Sequence, residues 1–250
     1  MALQEEFESQ GNYLFKHRGT FPIFILTAGF LVFLQPIIIS ERFWWTDTIQ
    51  GKIYAYICLL IALAGLVIRC YAVGHTPANT SGRNTEGQLA DRLNTSGIYS
   101  TVRHALYLGN FFMWLGPAML TANLWFTVAF IFIYWVYYER IMFAEEQFLR
   151  KKFGEVYINW AAKTPAFIPS FKNFIKPELP FSWKKILKKE KNGLVAVFLI
   201  FLLFYSVGCY FSSEPVTDYF LIYFTAFTVV LYLILKYVKK YSKVLDEEGR

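Results

Sequence analysis

The chain alternates long apolar runs with short or strongly polar connections, and it does so six times. The runs fall at roughly residues 21–40, 53–73, 105–121, 124–139, 194–211 and 217–236. Each approaches the ~20 apolar residues that carry a helix across a hydrocarbon core. The third and fourth are short, which predicts tilt or local thinning of the bilayer. Pro36 removes a backbone donor inside the first run and predicts a kink there. The connections differ in kind. Residues 1–20 are polar and read as a surface segment, and residues 74–97 turn to Gly, Ser, Thr and Asn with Pro77, which reads as a long loop with turns. A loop of that length in a compact protein is usually functional or disordered, and here it leads directly into a charged cluster. Residues 142–160 show helical amphipathicity, with Glu145, Leu149, Phe153, Val156, Tyr157 and Trp160 on one face. Glu145 on the apolar face demands a partner or a ligand, because an unpaired carboxylate in low dielectric is costly.

The expected fold class is therefore all-α: a polytopic integral membrane protein of about six transmembrane helices plus an interfacial amphipathic helix. Three segments follow from the pattern. Residues 1–73 are an N-terminal tail and hairpin, 74–170 a core of loop, short hairpin and amphipathic helix, and 171–250 a basic segment with a last hairpin.

Composition sharpens this reading. Of the 250 residues 56% are apolar and 20% aromatic, as suits a chain whose rings sit at the membrane–water boundary. The formal charge is +7, and its distribution is more telling than its size. With the N-terminus inside, every one of the 25 Lys and Arg residues except Arg42 and Lys52 falls on the cytoplasmic side. The positive-inside rule thus predicts that both termini are cytoplasmic. The three cysteines, Cys58, Cys70 and Cys209, lie in or at the ends of spans, and no spacing suggests a disulfide framework or a metal site. The first apolar run is too long for a signal peptide and lacks a cleavage signature, so it is expected to stay as an anchor. Lys184, Lys185, Lys188, Lys189 and Lys191 stand beside Phe181 and Trp183. Such a cluster serves as a topology signal, and it also attracts anionic lipid by roughly 1 kcal/mol per basic residue.

The chemistry concentrates between Leu93 and Pro169. Arg103-His104 and the stretch Glu139 to Glu146 bracket the apolar hairpin. Singly, these are ordinary interfacial groups. Together, an arginine, a histidine, tyrosines and a carboxylate match S-adenosylmethionine, which carries a carboxylate, an ammonium, a sulfonium and an adenine. Aromatic faces attract the sulfonium and stack the adenine. A nucleotide would use many of the same groups.

Five pieces in order resemble the isoprenylcysteine carboxyl methyltransferase family and the related membrane phospholipid methyltransferases. They are Gly97-Ile98-Tyr99; Arg103-His104-Ala105-Leu106-Tyr107-Leu108-Gly109; Glu145-Glu146; Phe153-Gly154-Glu155-Val156-Tyr157; and Ile168-Pro169. The resemblance implies S-adenosylmethionine as co-substrate, held by Asp91, Arg92, Leu93, Asn94, Tyr99, His104, Ala105, Leu106, Tyr107 and Glu145. It implies Arg103, His104 and Glu145 as catalytic residues, and Arg103 and Arg140 as contacts to the substrate. Gly109 would permit close backbone approach. Two departures stand out: Ala105 replaces the family's proline, and Ile141, with Arg140 adjacent, occupies the position of an expected substrate-contacting arginine.

The implied reaction is in-line methyl transfer to a lipid-borne nucleophile on the cytoplasmic side. An anionic acceptor needs no general base, whereas an amine would call on His104 or a glutamate. The surplus of basic residues favours an anionic acceptor, and some bacterial relatives methylate a lipid A phosphate. A prenylcysteine carboxylate or phosphatidylethanolamine would suit other hosts. Two other classes compete. One is a membrane NADPH-dependent reductase of related architecture, against which no basic pocket suits a 2′-phosphate. The other is a non-enzymatic membrane protein such as a transporter, against which the remaining spans offer few ionisable residues. Nothing points to nucleic acid, and the oligomeric state is open.

Overall fold

The computed structural model describes residues 2–40, 43–78, 80 and 88–250. Part of the predicted loop at 74–97 (79 and 81–87), and Arg42 of the first predicted external connection, lie outside them. The described residues form helices α1 (Leu3–Lys16), α2 (Phe21–Ser40), α3 (Trp44–Asp47), α4 (Ile49–Gly74), α5 (Ala105–Leu120), α6 (Leu124–Phe153), α7 (Glu155–Ala161), α8 (Trp183–Phe211) and α9 (Tyr219–Tyr241), with a 3-10 turn at Gly97–Ser100. No strand occurs among them. Five helices (α2, α4, α6, α8 and α9) are long and apolar enough to cross a membrane, and α5 is a shorter apolar helix. The six predicted runs are therefore all helical.

Two boundaries differ from the sequence expectation, each for a local reason. The helix expected over 142–160 is two pieces. Residues to Phe153 prolong α6, and Gly154, at φ +53° and ψ −129°, turns the chain into α7. That conformation is open to glycine and costly for other residues. The fifth run begins much earlier than its apolar stretch, because Ser182 caps α8 by accepting from the Lys185 amide at 3.1 Å.

Close packing of α4 on α5 organises the bundle. A Cβ on Gly65 would stand 2.5 Å from the Met113 amide and closer still to the Gly109 carbonyl, and one on Gly116 would stand 2.5 Å from the Cys58 carbonyl. Backbone meets backbone here, as at small-residue crossings in membranes. α8 lies against α4, and α9 against α8. One core gathers Phe33, Phe43, Ala62, Phe198, Phe201 and Phe204 from α2, the α3 region, α4 and α8. A second joins Phe15 of α1 to Tyr107, Phe130, Tyr134 and Tyr138. α1 packs along α6, Asp246 accepts from Lys188 of α8, and Arg250 donates to the carbonyls of Gly74 and Pro180. Both ends of the described chain thus meet the end of the bundle where α4 stops and α5 and α8 start.

Candidate functional site

At that end, residues 101–104 and 165–170 run side by side. The amides of Arg103 and His104 donate to the carbonyls of Pro165 and Ala166 (2.9 and 3.1 Å), and the Ser170 amide donates to Thr101 (2.9 Å). His104 then becomes the N-cap of α5, and Ala105 its first residue. This pairing fixes the start of α5 where the family's proline is absent. Gly97, at φ +60°, opens the turn that presents Tyr99, and the Tyr99 carbonyl accepts from the Trp160 indole at 3.1 Å.

Two adjacent carboxylates of α6 take distinct partners. Glu146 accepts from Arg103 Nε (2.8 Å) and Nη2 (3.3 Å) and from His104 Nε2 (2.9 Å). Arg103 Nη1 also donates to the carbonyls of Ala161 (2.9 Å) and Thr164 (2.6 Å). Arg103 therefore ties α6 to the end of α7. Glu145 accepts from the Tyr107 hydroxyl at 2.6 Å, and its other oxygen lies 3.6 Å from His104 Nδ1. His104 is thus held between two carboxylates. Burial by itself lowers its pKa, but hydrogen bonds and charge from Glu145 and Glu146 outweigh burial and raise it above 6.5.

Arg103, His104, Tyr107 and Glu145 wall a cavity of about 460 Å³, within the usual range for small-molecule sites. Of the sequence-predicted residues, Arg92, Leu93, Asn94, Tyr99, Arg103, His104, Ala105, Leu106, Tyr107 and Glu145 line it. Asp91 and Arg140 are not among the lining residues. Arg140 instead packs its guanidinium 3.5 Å over the Phe7 ring and pairs with Glu139 at 3.2 Å, turned toward α1. On the predicted amphipathic face, Glu145, Leu149, Tyr157 and Trp160 line the cavity, whereas Val156 is 66% exposed because the break at Gly154 rotates α7.

Several lining residues escaped the sequence reading. Phe15 and Arg18 come from the N-terminal segment, and Arg69, Asn110 and Tyr138 from within the spans. Lys189 and Glu190 come from α8. Arg69 donates to both oxygens of Glu190 at 2.8 Å and to Asn110 Oδ1 at 2.7 Å. An arginine at the end of an apolar run that must find a partner was the available signal.

The donor set suits S-adenosylmethionine. Glu145 keeps acceptor capacity beyond its bond to Tyr107. Tyr99, Tyr107, Phe148 and Trp160 supply ring faces. The buried Tyr157 hydroxyl, on the cavity wall, has no hydrogen-bond partner in bonding geometry among the described residues. Burial, and after it the nearby charge of Glu146, pushes the Tyr157 pKa upward, so the hydroxyl stays a donor. No cluster of His, Cys, Asp and Glu able to hold a metal ion occurs among the described residues.

Fold and site together define a polytopic helical membrane protein with a polar, aromatic-walled cavity at one end. Comparison with known proteins narrows the class. Residues 52–156 match the phospholipid methyltransferase family model. The chain is 40% identical over 78 residues to the protein-S-isoprenylcysteine O-methyltransferase of Schizosaccharomyces pombe, covering 31% of this chain and 33% of the relative. It is 31% identical over 114 residues to that of Saccharomyces cerevisiae (45% of this chain, 47% of the relative). It is 26% identical over 158 residues to the methanethiol S-methyltransferase of Crocosphaera subtropica (61% and 60%). The chain thus spans between a third and three fifths of the length of these relatives. No solved structure matches it significantly. The resemblance to isoprenylcysteine and phospholipid methyltransferases is therefore borne out over residues 52–156.

Proposed function

We propose that this chain is an S-adenosylmethionine-dependent methyltransferase of the membrane, acting on an anionic group such as a lipid phosphate. The observation that carries the reading is the convergence of Tyr99, His104, Tyr107, Glu145 and Tyr157 on one cavity, from motif pieces separated by a hairpin. Bound there, S-adenosylmethionine supplies an electrophilic methyl group on a sulfonium. Glu145 and Tyr107 hold its cationic part, the aromatic walls orient it and exclude water, and the backbone at Ala105 and Leu106 closes the floor. Catalysis is then chiefly positioning.

His104 bears on the acceptor. Both ring nitrogens of its imidazole face carboxylates, Glu145 and Glu146, which favour the protonated form and make it a poor acceptor of a proton from the nucleophile. An amine nucleophile would need such an acceptor, whereas a phosphate or carboxylate would not. Arg18 and Lys189 add positive charge to the cavity wall, where Arg69 is paired with Glu190 and Arg92 with Glu178. Both chain ends meet the site end of the bundle. With the basic connections gathered there too, we place that end and both termini on the cytoplasmic side.

The test is label transfer from methyl-labelled S-adenosylmethionine into a total host lipid extract, using purified protein and the Glu145→Gln variant. Label should enter a phosphate- or carboxylate-bearing lipid. Loss of one charged hydrogen bond should slow the variant on the order of 10- to 100-fold, with helical circular dichroism unchanged. Label in an amine headgroup would overturn the acceptor assignment. Equal rates in wild type and variant would overturn the site.

A further inference from the structure

Between α7 and α8 the chain runs without helix through Phe167-Ile168-Pro169-Ser170-Phe171-Lys172-Asn173-Phe174-Ile175-Lys176. Its large apolar side chains are not packed away. Ile168 is 78% exposed, Phe171 75%, Ile175 57% and Phe174 48%. Apolar groups gathered this closely on a surface mark a place that something else covers. Three observations say what covers it.

First, the segment is held in place by its backbone. The Ser170 amide donates to the Thr101 carbonyl at 2.9 Å. The Ile175 amide donates to Ser100 Oγ at 2.9 Å, and its carbonyl accepts from the Gly97 amide at 2.9 Å. The Glu178 amide donates to Ser96 Oγ at 3.2 Å. These bonds tie the segment to the turn that presents Tyr99 and leave its apolar side chains facing outward.

Second, the segment starts at membrane depth. The Phe167 ring meets Phe111 and Trp135 edge-on, with centroids 6.0 and 5.4 Å away. Phe111 lies about 9 Å into α5 from Ala105 at the helical rise. Trp135 belongs to the spanning helix α6 and is 43% exposed on its outer face. Ile168 follows Phe167 directly, so the outward apolar face of α6 continues into this segment.

Third, the composition is that of an interface. Lys172 and Lys176 alternate with the apolar groups, both are exposed, and residues 167–176 contain no Asp or Glu. Lysine stems lie along an apolar surface while the ammonium reaches the phosphate level. Each lysine near an anionic surface is worth about a fivefold gain in partitioning.

We propose that residues 167–176 are a membrane-docking segment. Ile168, Phe171, Phe174 and Ile175 enter the headgroup layer of the leaflet around the helices, and Lys172 and Lys176 favour anionic lipid there. Docking sets the bilayer surface against the rim of the cavity, because the same segment holds the Tyr99 turn. This rests on the segment's own exposure and bonding and stands apart from the methyl-transfer reading.

The test uses the full chain in nanodiscs, with a nitroxide at Phe171→Cys or Phe174→Cys. The Cys70→Ala background leaves two native thiols, both buried. Collision with oxygen, which concentrates in lipid, is compared with collision with a water-soluble nickel chelate. Phe132→Cys, outward-facing on α6, is the lipid reference, and exposed Glu248→Cys the aqueous one. In discs of phosphatidylcholine with a minor share of phosphatidylglycerol, both labels should favour oxygen, as the lipid reference does. In phosphatidylcholine alone the ratio of inserted to solvated label, read from the two-component spectrum, should fall on the order of tenfold. Lys172→Gln/Lys176→Gln should remove that dependence on lipid charge. Lys239→Gln/Lys240→Gln, at exposed lysines on α9, should not. Chelate access equal to that of Glu248→Cys in every disc would put the segment in water and overturn the proposal. Protection from both reagents would mean that protein covers it, a second copy or another part of the chain, and would overturn it too. Insertion indifferent to lipid charge overturns the preference for anionic lipid, and with it the proposal as stated. Methyl transfer is not read, so failure here leaves the proposed function standing.

Discussion

Among single residues His104 is the most constrained. Each ring nitrogen faces a different carboxylate, at 2.9 and 3.6 Å. Its pKa is raised in the fold because two hydrogen-bonded charges outweigh burial. The sign of the linkage follows. Protonated His104 contributes stability that is fully present below the unfolded value of about 6.5 and is lost as pH rises through the raised folded value. The thermal midpoint of the detergent-solubilised protein should therefore fall as pH climbs above about 6.5, and His104→Gln should flatten that fall. A wild-type midpoint that is level or rising over that range would mean the imidazole is neutral in the fold. A neutral imidazole would also reopen an amine acceptor. Arg103 was legible in the sequence as a charged group at a span entrance, but its partners were not. Glu146 reaches it from α6, but Ala161 and Thr164 come to it through the α6–α7 break, and contacts across a break leave no periodic trace in sequence.

Elements were legible where hydrophobic period decides them and illegible where one residue's backbone does. The six apolar runs read directly as helices, because a 3.6-residue period and the length needed to cross a bilayer leave few alternatives. The break at Gly154 did not, since Tyr157 and Trp160 continue the apolar spacing of Glu145 and Leu149 across it. The start of α8 was hidden for another reason. Ser182 caps a lysine-rich start, Lys184, Lys185, Lys188 and Lys189, which hydropathy assigns to a connection. The crossing of α4 and α5 was legible in part, through Gly109, and the partner glycine became visible only in three dimensions. Gly65→Ala should force the two backbones apart and cost about 1–3 kcal/mol, lowering both the thermal midpoint and affinity for S-adenosylmethionine, because α4 and α5 carry Arg69 and Tyr107. Gly193→Ala is the contrast. Its Cβ would meet the flexible ends of Leu66 and Met113 at 3.2 Å and Glu190 Oε2 at an ordinary 3.7 Å, and a helix-propensity gain of about 1 kcal/mol offsets the contact. Equal midpoints for the two variants would remove the close crossing as the organising contact.

At the scale of the whole molecule, the question is why a segment matched to the methyltransferase family over residues 52–156 carries a further hairpin. α8 and α9 lie outside that match, yet α8 reaches the cavity wall through Lys189 and Glu190. The Arg69 and Glu190 side chains are 17% and 5% accessible, and they form a two-point ion pair between α4 and α8. Removing one partner of a buried pair leaves an uncompensated charge and typically costs about 3–5 kcal/mol, whereas replacing both costs far less. Arg69→Gln and Glu190→Gln should therefore each lower the thermal midpoint strongly, and the double variant should recover most of the loss. That non-additivity is read from a double-mutant cycle in detergent. Ligand binding separates two roles for the pair. If it only fastens the hairpin, the double variant binds S-adenosylmethionine as the wild type does. If Arg69 also faces the carboxylate of bound S-adenosylmethionine, affinity stays low after stability returns. Additive losses of stability would mean that α8 is held by its apolar face alone, through Phe198, Phe201 and Phe204, and that the polar contact is incidental to how the hairpin joins the core.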